Sequence, residues 1–233
     1  MIEGLMSASF PPNADDVRVR TSDRPPAAPS VPAEHDFVAG LRSVGLLAEL
    51  DEEEHARISQ LLAEDGPTEG RRVDLLVTYF GAAGNAEARQ RREANDRFFW
   101  HTEESPTTVR TLVQRIAFLS PELGAVDAVW AGAREAPVLR LRARGHAVDV
   151  PEEPEEQPST GDAPSITVRA VVRAANALLA LCGAEHRFVP LACDGDRETY
   201  VGVAREVASM LCAAELVDEF DENELLALGG WTP

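Results

Sequence analysis

Asp194, Asp196 and Glu198 stand at alternate positions, the spacing with which a calcium loop presents its first oxygen ligands. The rest of such a loop is missing. Thr199 occupies the position of the required glycine and Arg205 that of the closing bidentate carboxylate, so the run reads as a solvated hairpin turn. Cys193 abuts it, and a thiol becomes nucleophilic when a histidine within hydrogen-bond reach raises its thiolate fraction. His186 would precede the strand that Cys193 ends, which sets the two roughly 20 Å apart at the rise of an extended chain. A pairing of Cys193 with His101 or His146 would need tertiary folding. The five histidines, His35, His55, His101, His146 and His186, show no HxH, HExxH or HxxxH spacing, so no zinc site is read. His101 with Glu103 and Glu104 is the one polar cluster positioned for acid and base work, and a surface turn ahead of Pro106 explains it equally. GAAG at 81–84 weakly evokes an anion-binding turn but lacks a GxGxxG pattern, and reads as a helix break. No catalytic, cofactor-binding or metal-binding residue is assigned.

Arg140, Arg142 and Arg144 are the most unusual local feature, three cations alternating with Leu139, Leu141 and Ala143 in an acidic chain. They are either pinned by the nearby acids Glu152, Glu153, Glu155 and Glu156 or dock an anionic partner, and they are the candidate partner-binding residues.

Charge narrows the function classes. The net charge is −18, and residues 147–233 alone hold 17 acids against 5 arginines, a net of −12. Such a field disfavours nucleic-acid backbones and anionic lipid surfaces. All 22 basic residues are arginine. Without lysine there is no Schiff base, no GxxxxGK phosphate loop and no kinase-type phosphate-pairing amine. The preference for Arg and Ala fits a GC-rich bacterial genome. Cys182, Cys193 and Cys212 form no CxxC pair and suggest reduced thiols rather than a disulfide framework. The N-terminus lacks a basic start followed by an apolar run, and no uninterrupted apolar stretch approaches the roughly 18 to 20 residues of a membrane span, so a soluble cytoplasmic location is expected.

The elements that must position these residues follow from periodicity and punctuation. Residues 1–34 are proline-rich and poor in large apolar groups, and are expected to form a disordered tail. Residues 35–132 read as helical. Phe37, Leu41 and Val44 give one apolar face, and Asp51 caps a second helix through Glu54. Residues 73–80 (VDLLVTYF) lean to helix, residues 85–100 continue as helix through Phe98, Phe99 and Trp100, and Ser105 with Pro106 starts another. Ser120 and Pro121 open a short helix containing Leu123, Val126, Val129 and Trp130. Residues 137–150 alternate as a β-hairpin broken at Gly145, and residues 151–164 form an acidic, proline-punctuated linker. Residues 165–233 read as helix, hairpin and helix: Ser165 caps a helix through Cys182 with Gly183 as its left-handed stop, two short strands follow, then two amphipathic helices. The fold class expected is α+β, a helix-rich N-terminal part followed by two β-hairpins with flanking amphipathic helices.

The phrase LLAELDEEEHARISQLL, about 17 residues, is similar to the entry helices of cyclic-nucleotide-binding domains, but the glycines of their β-roll do not follow and no function is carried from it. The expected function is a non-catalytic protein–protein interaction module, an adaptor, assembly component or inhibitor, whose acidic C-terminal half meets a basic partner surface. No cofactor is expected, and self-association is compatible with the reading. Two alternatives stand. One is a small enzyme using a tertiary cluster of histidine, cysteine and carboxylate. The other is a winged-helix-like regulator with residues 121–134 as its recognition helix, a segment whose Glu122 and Asp127 suit DNA poorly.

Overall fold

A computed structural model of the chain describes residues 19–20, 34–48, 51–64, 72–81, 86–102, 108–133, 136–151, 166–193, 197–217 and 220–231. The elements in chain order are β1 (Val19–Arg20), α1 (Glu34–Ser43), α2 (Glu52–Glu64), α3 (Arg72–Gly81), α4 (Ala86–Asn95), β2 (Phe98–Thr102), α5 (Val109–Leu119), β3 (Val126–Ala133), β4 (Ala136–Ala143) and β5 (His146–Asp149). They continue as β6 (Ile166–Thr167), α6 (Val168–Leu181), β7 (Arg187–Cys193), β8 (Arg197–Val203), α7 (Arg205–Ala213) and α8 (Glu222–Gly229). The fold is α+β. The linker residues 152–165 and all of the N-terminal segment before α1 except β1 lie outside the described residues; β1 pairs in parallel with β6.

Local chemistry starts and stops these helices. The Asp51 carboxylate accepts from the Glu54 amide at 2.7 Å, as the spacing predicts. Thr108 caps α5 by accepting from the Thr111 amide, and Thr167, two residues past the expected Ser165, caps α6 by accepting from the Ala170 amide. Asp221 and Glu224 form a reciprocal capping box on α8. Gly183, after α6, has the left-handed φ of 75° expected of it.

Two expectations are corrected. Residues 98–100 do not continue α4: Asp96 and Arg97 form a turn, Arg97 is left-handed at φ 46°, and Phe98–Thr102 is strand β2. Residues 120–133 are not a helix. Ser120 is followed by a turn and then by strand β3, so no recognition helix exists there and the winged outline falls. The reason is burial. Strand β2 belongs to a sheet of order β2-β8-β7, covered on both faces, in which burial runs on from residue to residue along β7 and β8 instead of alternating. In β3 the residues packed inward are Val126, Ala128 and Trp130, and small Ala128 conceals the alternation.

The layers stack as sheet, helices, sheet, helices. The meander β3-β4-β5 turns Leu139, Leu141 and Ala143 inward onto α5 and α6. The far side of that helical layer packs on Phe99, Phe188 and Tyr200 of the second sheet, with Phe99 stacked on Tyr200 at 5.0 Å. Phe98, Val189, Leu191 and Val201 leave the opposite face of the same sheet and meet α1, α3, α7 and α8 in a second core. Pro190, which has no amide hydrogen to give a ladder, sits on edge strand β7. Beside it the register slips, and the Thr199 hydroxyl repairs the irregularity by accepting from the Ala192 amide and donating to the Ala192 carbonyl.

Asn176 joins three of these elements. Fully buried on α6, it donates to the carbonyls of Phe188 in β7 and Leu228 in α8 at 2.8 and 2.9 Å, and its Oδ1 accepts from the Phe188 amide at 2.8 Å. An apolar replacement strands one amide and two carbonyls, each costing about 1–3 kcal/mol when buried without a partner. Asn176→Leu is expected to lower unfolding free energy in urea by about 3 kcal/mol or more; a loss within error of zero would show that these bonds do not hold the layers.

Candidate functional site

Helix α4 is polar on every side, yet Arg92 and Glu93 are buried in it. Arg92 donates to the Tyr79 carbonyl at 3.2 Å and pairs with Glu54, tying α4 to α3 and α2. Glu93 faces the other way, into a cleft of about 420 Å³ between α4, strand β2 and α5. Its side chain is 2% exposed, and each carboxylate oxygen has its own guanidinium: Arg89, one turn earlier, at 3.0 Å on Oε1, and Arg115 of α5 on Oε2. Arg89 also lies over the Trp100 ring at 4.5 Å. Gln90, His101 and Thr111 complete the described polar lining, while Phe99 and Leu112 supply apolar wall. The described lining therefore holds two permanent cations against one carboxylate.

The candidates that the sequence singles out are dispersed. Strand pairing sets His101 opposite Glu198, and Glu198 opposite Cys193, so histidine, carboxylate and thiol form a row on one face of the sheet. Of the three only His101 lines the cleft. Glu198 accepts from the Tyr200 hydroxyl at 3.0 Å and stands 3.8 Å from Arg169. Burial, reinforced by the Glu198 charge, raises the Tyr200 hydroxyl well above the usual phenol value, so it stays protonated as the donor. Asp194 and Asp196 lie outside the described residues, as do Glu103, Glu104 and most of the 81–84 turn. His55 is half-buried on α2, His146 is exposed at the start of β5, and the side chain of His35 is outside the described set. Among the described residues no group of three or more His, Cys, Asp or Glu could hold a metal ion.

The arginine stripe divides. Arg140 and Arg142 share the outer face of β4 by strand alternation, whereas Arg144 is left-handed at φ 47° in the turn to β5 and donates to the Pro121 carbonyl at 3.3 Å. Arg140 makes a two-pronged pair with Asp149 of β5, at 2.5 and 3.1 Å, which holds the Asp149 carboxyl below its ordinary range. Its partner is thus a strand neighbour; the acidic linker lies outside the described residues. Arg142 is exposed, opposite Asp127 in the register.

His186 has a structural place. Its Nε2 lies 2.8 Å from the Ser120 hydroxyl, joining the end of α5 to the start of β7, and Gly202 leaves room for the ring, since a Cβ there would approach its Cδ2 to 3.2 Å. Burial first, then the Arg97 charge, lowers its pKa from 6.5 to about 4.

No protein-family model, curated protein or solved structure matches this chain.

The lining residues Arg89, Glu93, Trp100 and Arg115 do not stand out in the sequence. One signal was legible: Arg89 and Glu93 are four apart inside ARQRREANDR, a spacing at which side chains meet on a helix. Nothing in that uniformly charged run distinguishes the buried carboxylate from the solvated ones.

Removing partners here is asymmetric. Without Glu93 the two half-exposed guanidiniums remain solvated; without both arginines Glu93 is a buried charge with neither partner. Arg89→Ala with Arg115→Ala is expected to cost about 3–5 kcal/mol in urea unfolding, and adding Glu93→Gln should recover most of it; a triple variant no more stable than the double refutes the assignment. For His186, the folded pKa of about 4 lies below the unfolded value of 6.5. Its contribution is therefore present above pH 6.5 and lost as pH falls to about 4, about 3 kcal/mol in all. Unfolding free energy of wild type minus that of His186→Gln should decline across this window; a flat difference would contradict the neutral buried ring.

Proposed function

We propose that the protein is a non-catalytic protein-interaction module of the cytoplasm, an adaptor, assembly component or inhibitor, whose acidic C-terminal half meets a basic surface on its partner. The observation that carries this reading lies on α7 and α8. Glu206 and Met210 are four apart on the outer face of α7, both exposed, with Met210 at 45%. Exposed Glu215 follows in the turn after α7, and exposed Asp221 and Glu222 cap and begin α8, which packs on α7. The charges of Glu222 and Asp221 add to burial in raising the Cys212 thiol, a sign that the field at this junction is negative. An exposed thioether amid carboxylates supports an apolar anchor with a charged rim, the layout by which protein partners are held and selected. The same charge argues against nucleic acid as the partner. Among the described residues no helix is long and apolar enough to cross a membrane.

A second reading, an enzyme, is favoured by the row of His101, Glu198 and Cys193. It ranks lower because Glu198 is engaged by Tyr200 and Arg169, and neither it nor Cys193 lines the cleft.

Charge reversal tests the first reading. Affinity capture from the native cell with wild type and with Glu206→Arg/Glu222→Arg is expected to lose one basic partner in the variant, and to lose it from wild type when salt rises from about 0.05 to about 0.5 M, because exposed charges are screened within about 10 Å at 0.1 M. The same partner held equally by both proteins at both salt concentrations would defeat the proposal.

A further inference from the structure

We propose that the cleft between α4, β2 and α5 is a binding site for a small organic anion, a carboxylate or a phosphate monoester, recognised by the guanidiniums of Arg89 and Arg115. Four observations lead there. The cleft, at about 420 Å³, falls within the size range of small-molecule sites. Its walls combine apolar surface from Ala86, Phe99 and Leu112 with converging polar heads, so a ligand with a compact apolar body and an anionic group would find both halves of its chemistry matched.

The donors are oriented and not exhausted. Arg89 commits only its Nε to Glu93, and Arg115 only one Nη. The two side chains stay 41% and 31% exposed, and their remaining N–H groups hold no hydrogen-bond partner among the described residues. Guanidinium is planar and carries its donors in a fork that fits two oxygens of a carboxylate or phosphate. Glu93 beneath holds both arginines, and Trp100 alongside Arg89 and Phe118 alongside Arg115 fix them further before any ligand arrives, which removes part of the ordering cost of binding.

The sign of the charge is the fourth observation. In a chain of net charge −18 the described lining of this cleft carries two arginines and one glutamate, an inversion of the prevailing field. Buried Glu93 does not cancel it, because one carboxylate serves two cations. An anion repelled by the general surface is drawn to such a place, which makes the cleft selective as well as attractive. The proposal makes no use of the α7 and α8 surface and stands or falls separately from the interaction reading.

Calorimetric titration of the full chain with benzoate, phenyl phosphate and inorganic phosphate tests it. Saturable binding of at least one probe is expected. It should weaken tenfold or more in Arg115→Ala and in Thr111→Trp, a variant that fills the cleft from an exposed position on α5 and leaves every charge in place. Benzoate alone binding identifies a carboxylate ligand; phenyl phosphate binding more tightly than inorganic phosphate identifies a phosphate ester; equal binding of the two phosphates identifies free phosphate and overturns the organic part of the proposal. No saturable heat with any probe, or binding untouched by Thr111→Trp, overturns the site itself.

Discussion

Helix α6 has little surface left for solvent, because one sheet packs on it from each side and α8 closes part of the remainder. Everything else is arranged around that enclosure. A helix buried so completely must satisfy any polar group it brings inside, and Asn176 does so by bonding the backbone of the strand and the helix beside it. The constraint is mutual. Strand β7 cannot shift in register without breaking a bond to α6, and α8 cannot swing away without exposing the Leu228 carbonyl. A single side chain thereby couples the hairpin β7–β8 to the helical layer, and the cleft beside β2 inherits its position from that coupling.

Many of the other polar joints are made by arginine. Arg92 binds α4 to its neighbours, Arg89 and Arg115 share one buried carboxylate, and Arg169 stands between Glu198 and the ring of Phe220. Lysine could not replace them in kind. An ammonium is a compact, strongly hydrated charge, whereas guanidinium bonds in two directions while lying flat on an aromatic ring. A lysine-free chain thus has no lack of means to join charged groups across its layers, and the means it has suits half-buried sites better.

What the sequence made legible follows what solvent leaves on one side. Strands β4 and β5 alternate because their outer face is wet, and Leu139, Arg140 and Leu141 announce it. Helix α6 carries its apolar stripe and its Gly183 stop openly, although its cap is Thr167 and not Ser165. Strand β2 does not: Phe98, Phe99 and Trp100 are apolar in succession because both faces of their sheet are covered, and such a run joined to a helix looks like more helix. Strand β3 was hidden by Ala128, too small to register as a buried position. The cleft was illegible for a related reason, since Glu93 sits in a run of charges and only tertiary contact with Arg115 makes it different from Glu87.

The sheet β2-β8-β7 also sets a timetable. Phe98 pairs with Val201, so the strand that lies in the middle of the sheet is the last of the three to be synthesised. Until residues 197–203 leave the ribosome, the aromatic segment 98–100 has no strand to pair with, and only its helical neighbours, among them α3 with Phe80 against Phe98, can cover it. The nascent chain therefore carries an unpaired strand edge while residues 103–196 are made, and the sheet closes only when its central strand enters between the two already waiting.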